Sequence, residues 1–442
     1  MRTFRIGGIH PPANKLSAGR PIETIAPPAT AVIPLSQHAG APALAVVAKG
    51  DKVKVGTLIG KAVGFVSANV HSSVSGTVAK VDSLTDGSGI SRPAIYINVE
   101  GDEWEPDIDR SETFVKECRL SSAEIIKKIE AAGIVGMGGA TFPTKIKLSP
   151  PPGNKVEILI VNAVECEPYL TADHSLIMEK SEQVMTGTTI LMKSLNVGRA
   201  VIGIECNKPD AIERMTELSA GYEGIEVMPL KMKYPQGGEK QLIDAVMRRQ
   251  VKSGALPVSV GAVVHNAGTV FAVYEAVQKN KPLIERVITV TGKNVARPSD
   301  FLARIGTPVS VLIDAAGGMP ANTGKIIGGG PMMGRAMIHT GVPVTKGSSG
   351  ILLLPEEESV RRPAHDCIRC AKCVGACPMG LEPSLLMNLS EYKLWDDAEK
   401  NYIVDCIECG SCSYTCPANR PLLDYIRLGK NTVTGIIRAR KK

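Results

Sequence analysis

The chain has 442 residues, a length that suggests about three domains. Apolar residues make up 44% and charged residues 21%, ordinary globular values that rule out a disordered chain, a coiled coil and a collagen-like repeat. Aromatics at 4% argue against stacking platforms for nucleic acid, and a net charge of +7 is mild for this length, compatible with an anionic partner or a membrane surface.

Residues 1–40 are rich in Pro and Gly, which predicts an extended arm draped over another domain. The N-terminal stretch lacks the apolar core of a signal peptide. Between Ala45 and Val81, short Val-rich runs punctuated by Gly50, Gly56, Gly60 and Gly76 predict a compact all-β unit of tight turns. Near residue 119 the texture changes to α/β. Ser121-Ser122-Ala123-Glu124 is a capping-box pattern opening an amphipathic helix, with Gly133 as its stop. Strand-like runs at Val156–Val161, Ala200–Ile204, Ile225–Met228 and Ala262–His265 alternate with helical stretches at Ser181–Leu195, Pro209–Ala220 and Lys240–Gln250. That alternation predicts a mostly parallel sheet covered on both faces. Apolar runs such as Val156–Val164, broken by Glu157 and Asn162, fall short of the roughly 20 residues of a membrane span. The chain therefore reads as soluble, or as attached to a membrane through partners.

From Arg286 to about Pro355, a strand at Val287–Thr291, a short helix at Ser299–Ile305 and the glycine-ended segment Ile326–Gly330 predict a small α+β domain of β-grasp type. Pro383–Asp396 reads as a helix between two cysteine runs. The predicted class is thus multidomain α/β, divided as 1–118 (arm and β unit), 119–285 (α/β), 286–355 (β-grasp) and 356–442 (cysteine domain). The last unit ends in a basic tail, Arg438 to Lys442.

Eight of the eleven cysteines lie between Cys367 and Cys416. Without a secretory signal, such clustering points to metal rather than disulfides. The runs Cys367-x-x-Cys370-x-x-Cys373-x-x-x-Cys377-Pro378 and Cys406-x-x-Cys409-x-x-Cys412-x-x-x-Cys416-Pro417 repeat the bacterial ferredoxin spacing. Structural zinc sites instead bring ligands in pairs separated by longer intervals. In the ferredoxin pattern each run gives three thiolates to one [4Fe–4S] cluster and its fourth to the other. The expected sets are Cys367, Cys370 and Cys373 with Cys416, and Cys406, Cys409 and Cys412 with Cys377. Two clusters in one small domain act as an electron wire, with Ile368, Ala371, Ile407 and Gly410 shielding the sulfurs. Cys118 and Cys206 read as plain buried or half-buried thiols.

The loop from Gly133 to Lys145 contains Gly136, Gly138 and Gly139. Its amides can cradle a phosphate, with Lys145 as an added cation; a tight turn without ligand has the same composition. The run Val156–Val161 leads into Asn162, Glu165, Cys166, Glu167 and Pro168. In α/β sheets, ligands bind beyond the carboxyl ends of strands. There Asn162 can read a flavin edge, and Glu165 and Glu167 can take ribose hydroxyls or a nicotinamide amide. A solvated acidic loop is the plain alternative.

The β unit resembles the barrel-sandwich fold of lipoyl- and biotin-carrier domains, with Gly50-Asp51-Lys52-Val53 and Ser72-Ser73-Val74-Ser75-Gly76 at matching places. Phe65 stands where the carrier lysine belongs, which favours a structural barrel. The glycine loop with Phe142-Pro143-Thr144, followed by the acidic loop, resembles the FMN- and NADH-binding flavoprotein subunit of respiratory complex I. Gly7-Gly8-Ile9-His10-Pro11-Pro12, the barrel and the doubled cysteine runs extend the likeness from Gly7 to about Pro421. Together they resemble the C-subunit family of the Rnf ion-translocating ferredoxin:NAD oxidoreductase complexes.

That resemblance implies FMN, an NAD(H) site and two [4Fe–4S] clusters on a peripheral subunit at the cytoplasmic side of the cell membrane. Carried over residue by residue, it places Gly136, Gly138, Gly139, Ala140 and Thr141 at FMN, and Lys145 and Lys147 near phosphate. It places Asn162, Glu165, Cys166 and Glu167 at flavin and nicotinamide. Gly238 and Glu239, in the loop from Tyr234, and the pair Asn266 and Thr269 belong to further ligand segments. Relative to complex I, Met137 replaces an arginine, and Thr141 and Cys166 each replace a glycine. The implied reaction is hydride exchange between NAD(H) and FMN, then one-electron transfer through the clusters, with no acid–base residue required. The implied partners are an iron–sulfur subunit and integral membrane subunits that couple the flow to Na⁺ or H⁺ movement, with ferredoxin reached indirectly and no nucleic acid. Two other readings are a soluble flavin reductase of the cobalamin-reductase type, against which the arm and barrel argue, and a cluster-only electron-transfer adaptor, which flavin content distinguishes.

Overall fold

The computed structural model describes residues 1–440; Lys441 and Lys442 of the basic tail lie outside the described residues. The N-terminal arm is extended and is held by later parts of the chain. Arg2 bridges Leu230, Ile9 pairs with Tyr234, and Glu23–Thr24 adds a parallel edge strand beside Phe301 and Leu302. Two small antiparallel sheets follow. Thr30–Pro34, Ser91–Val99, Gly76–Thr85 and Lys52–Val53 form one, and Leu44–Ala45, Leu58–Lys61 and Val70–His71 form the other. Alternate residues such as Ile33, Val78, Ile95 and Ile97 point into a common core, as the two-residue period of a strand requires. Phe65 is exposed.

The capping box forms as the sequence suggests. The Ser121 hydroxyl accepts from the Glu124 amide, and Glu124 returns a carboxylate to the Ser121 amide, opening the helix Ser122–Ala131. Gly133 follows at φ +64°, where a Cβ would strike the Asn69 carbonyl. The parallel strands Ile225–Leu230, Ala200–Glu205, Ile158–Ala163 and Ala262–Asn266 lie side by side in that order. In chain order this is third, second, first, fourth, so the winding reverses between the last two. Ile158 and Ile160 face one helical layer with Leu242 and Ile243, while Leu159 and Val161 face another with Val184 and Val270. Three α-helices of this unit have no counterpart in the sequence reading, Thr144–Lys147, Ala172–Glu179 and Ala267–Gln278.

The next unit is a mixed sheet in the order Glu23–Thr24, Ser299–Arg304, Glu285–Thr291, Gly350–Pro355, Thr323–Gly328, Arg335–Ala336. The helix expected at Ser299–Ile305 is instead a strand, antiparallel to Glu285–Thr291. Phe301 and Ala303 alternate into the core, and the intervening Asp300 is held by the hydroxyls of Thr171, Ser175 and Thr289. The helix of this unit is Val309–Ala315, whose Val309, Leu312 and Ile313 cover Ile288, Phe301 and Ile351.

In the cysteine domain, Pro383–Glu391 and Leu422–Arg440 pack around Leu386, Met387, Ile426 and Val433. The single helix expected over Pro383–Asp396 is two, Pro383–Glu391 and Trp395–Lys400, because Lys393 adopts φ +57° between them. Among the described residues no helix is long and apolar enough to cross a membrane.

Candidate functional site

Asn162 and Asn266 are register partners at the carboxyl edge of the parallel sheet, on the two strands between which the winding reverses. Such a reversal opens a crevice beyond the strand ends. The glycine loop closes over it. Val135 bridges Pro143, and the Gly136 amide donates to the Phe142 carbonyl at 2.9 Å, leaving Gly138, Gly139 and Ala140 at an exposed tip. The Met137 amide donates to Thr269 Oγ1 at 2.9 Å, and Asn266 Oδ1 accepts from the Thr269 amide at 3.2 Å, capping the helix Ala267–Gln278. Exposed glycine amides therefore stand near the amino end of a helix, where anionic oxygen is favoured. A Cβ on Gly138 would come within 2.9 Å of Asn266 Cβ, whereas one on Gly139 would meet nothing within 4 Å. The loop is a cradle open to a phosphate-bearing ligand, and its residues fit FMN. Thr141, at φ +50°, is held from outside, its carbonyl accepting from the Ala39 amide of the β unit at 3.1 Å.

On the other side of the crevice, Asn162 Nδ2 donates to the Gly237 carbonyl at 2.8 Å and the Gly237 amide donates to Cys166 Sγ at 3.3 Å. These contacts stitch the Tyr234–Glu239 loop to the acidic loop. Glu165, at φ +46°, turns its carboxylate onto the amides of Asp173 (2.8 Å) and His174 (3.3 Å) and so caps the helix Ala172–Glu179. Asn266 Nδ2 donates to Asp173 Oδ2 at 2.6 Å. Burial, with Glu165 alongside, pushes the Asp173 carboxyl up to about 7. Glu167 accepts from the amides of Met332 (3.2 Å) and Met333 (2.7 Å), and burial pushes it up to about 7. Burial also raises Cys166, which stays a thiol.

The structure brings Gly136, Gly138, Asn266, Thr269, Asn162, Glu165 and Cys166 around one crevice. The carboxylates of Glu165 and Glu167 are engaged by protein amides. Lys145 pairs with Glu130, while Lys147 Nζ contacts Glu239 at 2.7 Å and the Val264 carbonyl at 3.0 Å. Gly238 starts the helix Glu239–Met247, where a Cβ would strike Gln241 Oε1. Sequence reasoning does not single out Asp173, since nothing in its spacing separates it from any other carboxylate in the first turn of a helix.

The two cysteine loops share a backbone conformation. Arg369 and Glu408, two residues after each leading cysteine, take φ +53° and +57°, and Ala371 and Gly410, four residues after, take +57° and +77°. Turns of this kind point amides inward, forming the nests that hold iron–sulfur centres; the Glu408 amide reaches Cys406 Sγ at 3.4 Å. Cys409 and Cys377 lie close enough to Cys406 and Cys412 to act on them electrostatically. Burial, reinforced by the neighbouring thiols, raises Cys406 to about 11 and Cys412 to about 12. Thiols so crowded against their own ionisation are the donor set that a cationic iron centre relieves. Cys367 and Cys370 are exposed, and Cys373 and Cys416 half-buried. Among the described residues no three or more side chains gather into a closed metal cage. Ile368, expected to shield a cluster, is packed against no other part of the chain among the described residues, at 70% exposure. The buried loop meets the crevice through Tyr234, whose hydroxyl donates to the Cys409 carbonyl at 2.8 Å and lies 3.4 Å from Glu167.

Four family descriptions match the chain: the RnfC barrel sandwich hybrid domain over residues 3–102, the Nuo51 FMN-binding domain over 129–275, the SLBB domain over 287–336 and the 4Fe-4S dicluster domain over 359–417. Among curated proteins, the C subunit of the proton-translocating ferredoxin:NAD(+) oxidoreductase complex of Clostridium ljungdahlii is 47% identical over 434 residues, covering 98% of this chain and 94% of that protein. The C subunit of the Na(+)-translocating ferredoxin:NAD(+) oxidoreductase complex of Acetobacterium woodii is 44% identical over 433 residues, covering 98% and 97%. Solved structures of NAD+-reducing [NiFe]-hydrogenase, H2-reduced and air-oxidized, match with TM-scores of 0.48 and 0.49 at 18% identity, covering 71% of this chain and 62% and 66% of those chains.

Proposed function

The chain belongs to the C-subunit family of the Rnf ferredoxin:NAD(+) oxidoreductase complexes, and on that premise we propose that it is the NAD(H) port of such a complex. The observation that carries the reading is the exposed glycine loop at the reversal point of the parallel sheet, joined through Tyr234 to a buried cysteine loop. FMN bound there supplies the conversion between a two-electron hydride and single electrons. The residues of the chain hold and orient it. Gly138 and Gly139 leave the loop backbone open to phosphate, Asn266 fixes the loop floor, and Asn162 with Cys166 anchors the opposite wall.

Two clusters complete the wire. The set Cys406, Cys409, Cys412 and Cys377 is the one nearer the flavin, because its loop is tied to Tyr234. The set Cys367, Cys370, Cys373 and Cys416 is the outer one, because its leading cysteines are exposed. A cluster held there would exchange electrons with an iron–sulfur partner subunit, and integral membrane subunits would couple the flow to Na⁺ or H⁺ movement. The chain sits peripherally at the cytoplasmic side of the membrane, in four units divided near residues 118, 285 and 355. The arm and barrel distinguish it from a soluble cobalamin-reductase-type enzyme.

The test is an anaerobic titration with NADH of the full chain reconstituted with iron, sulfide and FMN. Flavin absorbance near 450 nm and the electron paramagnetic resonance of the clusters are followed together. Prompt bleaching followed by cluster signals is the expected result. Intact clusters with no flavin bound or bleached would overturn the port assignment and leave a cluster-only adaptor.

A further inference from the structure

We propose that Lys15 is a positioning residue for the acidic loop, and that the arm from Gly7 to Ser17 is the strap that holds this loop against the buried cysteine loop. The inference rests on the NAD(H)-port reading for its functional consequence and on geometry alone for the strap. Lys15 Nζ donates to the carbonyls of Glu165 (2.9 Å), Glu167 (2.9 Å) and Leu170 (2.5 Å). An ammonium has three N–H donors, and here each has a carbonyl. The loop needs such a hold. Glu165 and Tyr169 are non-glycine residues at φ +46° and +71°, a conformation that persists only when the surroundings impose it. Lys15 grips the chain at both ends of this strained stretch.

The neighbours of Lys15 act in the same sense. The Tyr169 amide donates to the Ala13 carbonyl at 2.8 Å, and Ser17 Oγ donates to Thr171 Oγ1 at 2.5 Å, the Thr171 hydroxyl itself donating to Asp300. Upstream, Ile9 and Tyr234 exchange both backbone hydrogen bonds at 2.9 Å, and the Gly8 amide donates to the Ala376 carbonyl at 2.9 Å. Gly7, at φ +64°, lies so close to Cys377 that a Cβ would stand 2.4 Å from its carbonyl. One short segment thus touches a cysteine of the buried set at one end and the acidic loop at the other.

The experiment uses the full chain with FMN and clusters, comparing the wild type with Lys15→Met, which keeps the stem and removes the donors. Hydrogen exchange of residues 165–171 and stopped-flow flavin bleaching by saturating NADH are both read. With cluster content unchanged, exchange in this segment is expected to accelerate ~tenfold and the bleaching rate to fall by a similar factor, while KM for NADH moves less. If Lys15→Met does not fold, Ser17→Ala, which removes a single hydroxyl contact, should give the same pattern at smaller amplitude. Unchanged exchange in the folded variant overturns the strap. Faster exchange with unchanged bleaching overturns the positioning role. If the wild type itself is not bleached, the port reading falls and the positioning role with it, while exchange still decides the strap.

Discussion

Lys346 carries a charge that the fold does not welcome. Its Nζ donates to the carbonyls of Asn69 at 2.5 Å and Gly133 at 2.7 Å, joining the β unit, the first α/β helix and the mixed sheet, with no carboxylate partner among the described residues. Burial lowers its pKa to about 7. A neutral amine has two N–H groups for these two acceptors, so the deprotonated form fits the site. Because the folded value lies below the unfolded 10.5, this group's contribution is full above about 10.5 and is lost as pH falls towards 7. Lys346→Met should cost about 2 kcal/mol in urea unfolding, and its deficit against the wild type should be larger at pH 9.5 than at pH 7. At the glycine tip, Gly138→Ala should weaken FMN binding ~tenfold by fluorescence titration, because Asn266 is pinned by Asp173 and cannot yield to a Cβ at 2.9 Å. Gly139→Ala, with open space around the new methyl, should leave the melting temperature unchanged. The glycines and the cysteines stand out in the sequence through local spacing, and Asn162 through its place at the end of a strand. Lys15 and Lys346 do not, because the carbonyls they hold lie far along the chain.

Elements were legible where local rules and tertiary packing agree. The Ser121 capping box and the four parallel strands are such cases. The segment Ser299–Arg304 misleads because its alternation is masked by Asp300, a buried carboxylate satisfied only by hydroxyls from Thr171, Ser175 and Thr289. The helix Ala267–Gln278 is apolar nearly all round, with Val270, Ala272, Val273, Tyr274 and Ala276 all buried, so it lacks the stripe that marks a surface helix. Its cap is the element's most vulnerable point. Asn266→Ala removes the acceptor for the Thr269 amide and the donor to Asp173, and should lower stability by about 1–2 kcal/mol in chemical denaturation. The same variant should release FMN more readily, since the glycine loop rests on Thr269.

At the scale of the whole molecule, the asymmetry between the two cysteine loops is what the proposed order of the wire rests on. Cys370→Ser, in the exposed loop, should leave NADH able to bleach the flavin and to reduce the cluster held by the buried loop, as read by electron paramagnetic resonance. Cys409→Ser should leave the flavin reducible while the outer cluster stays oxidised on the same timescale. The doubled motif announces the cysteine domain, but which loop faces inward depends on Tyr234, far away in the chain. The strap has a further consequence for biogenesis. Gly7 meets Cys377 across most of the polypeptide, so at roughly 5–20 residues per second the arm must wait tens of seconds for its partner to leave the ribosome. The carbonyls of Glu165, Glu167 and Leu170 emerge long before Cys377, so the strap closes first on the acidic loop and only later on the cysteine domain, whose remaining inner thiols Cys406, Cys409 and Cys412 are made last.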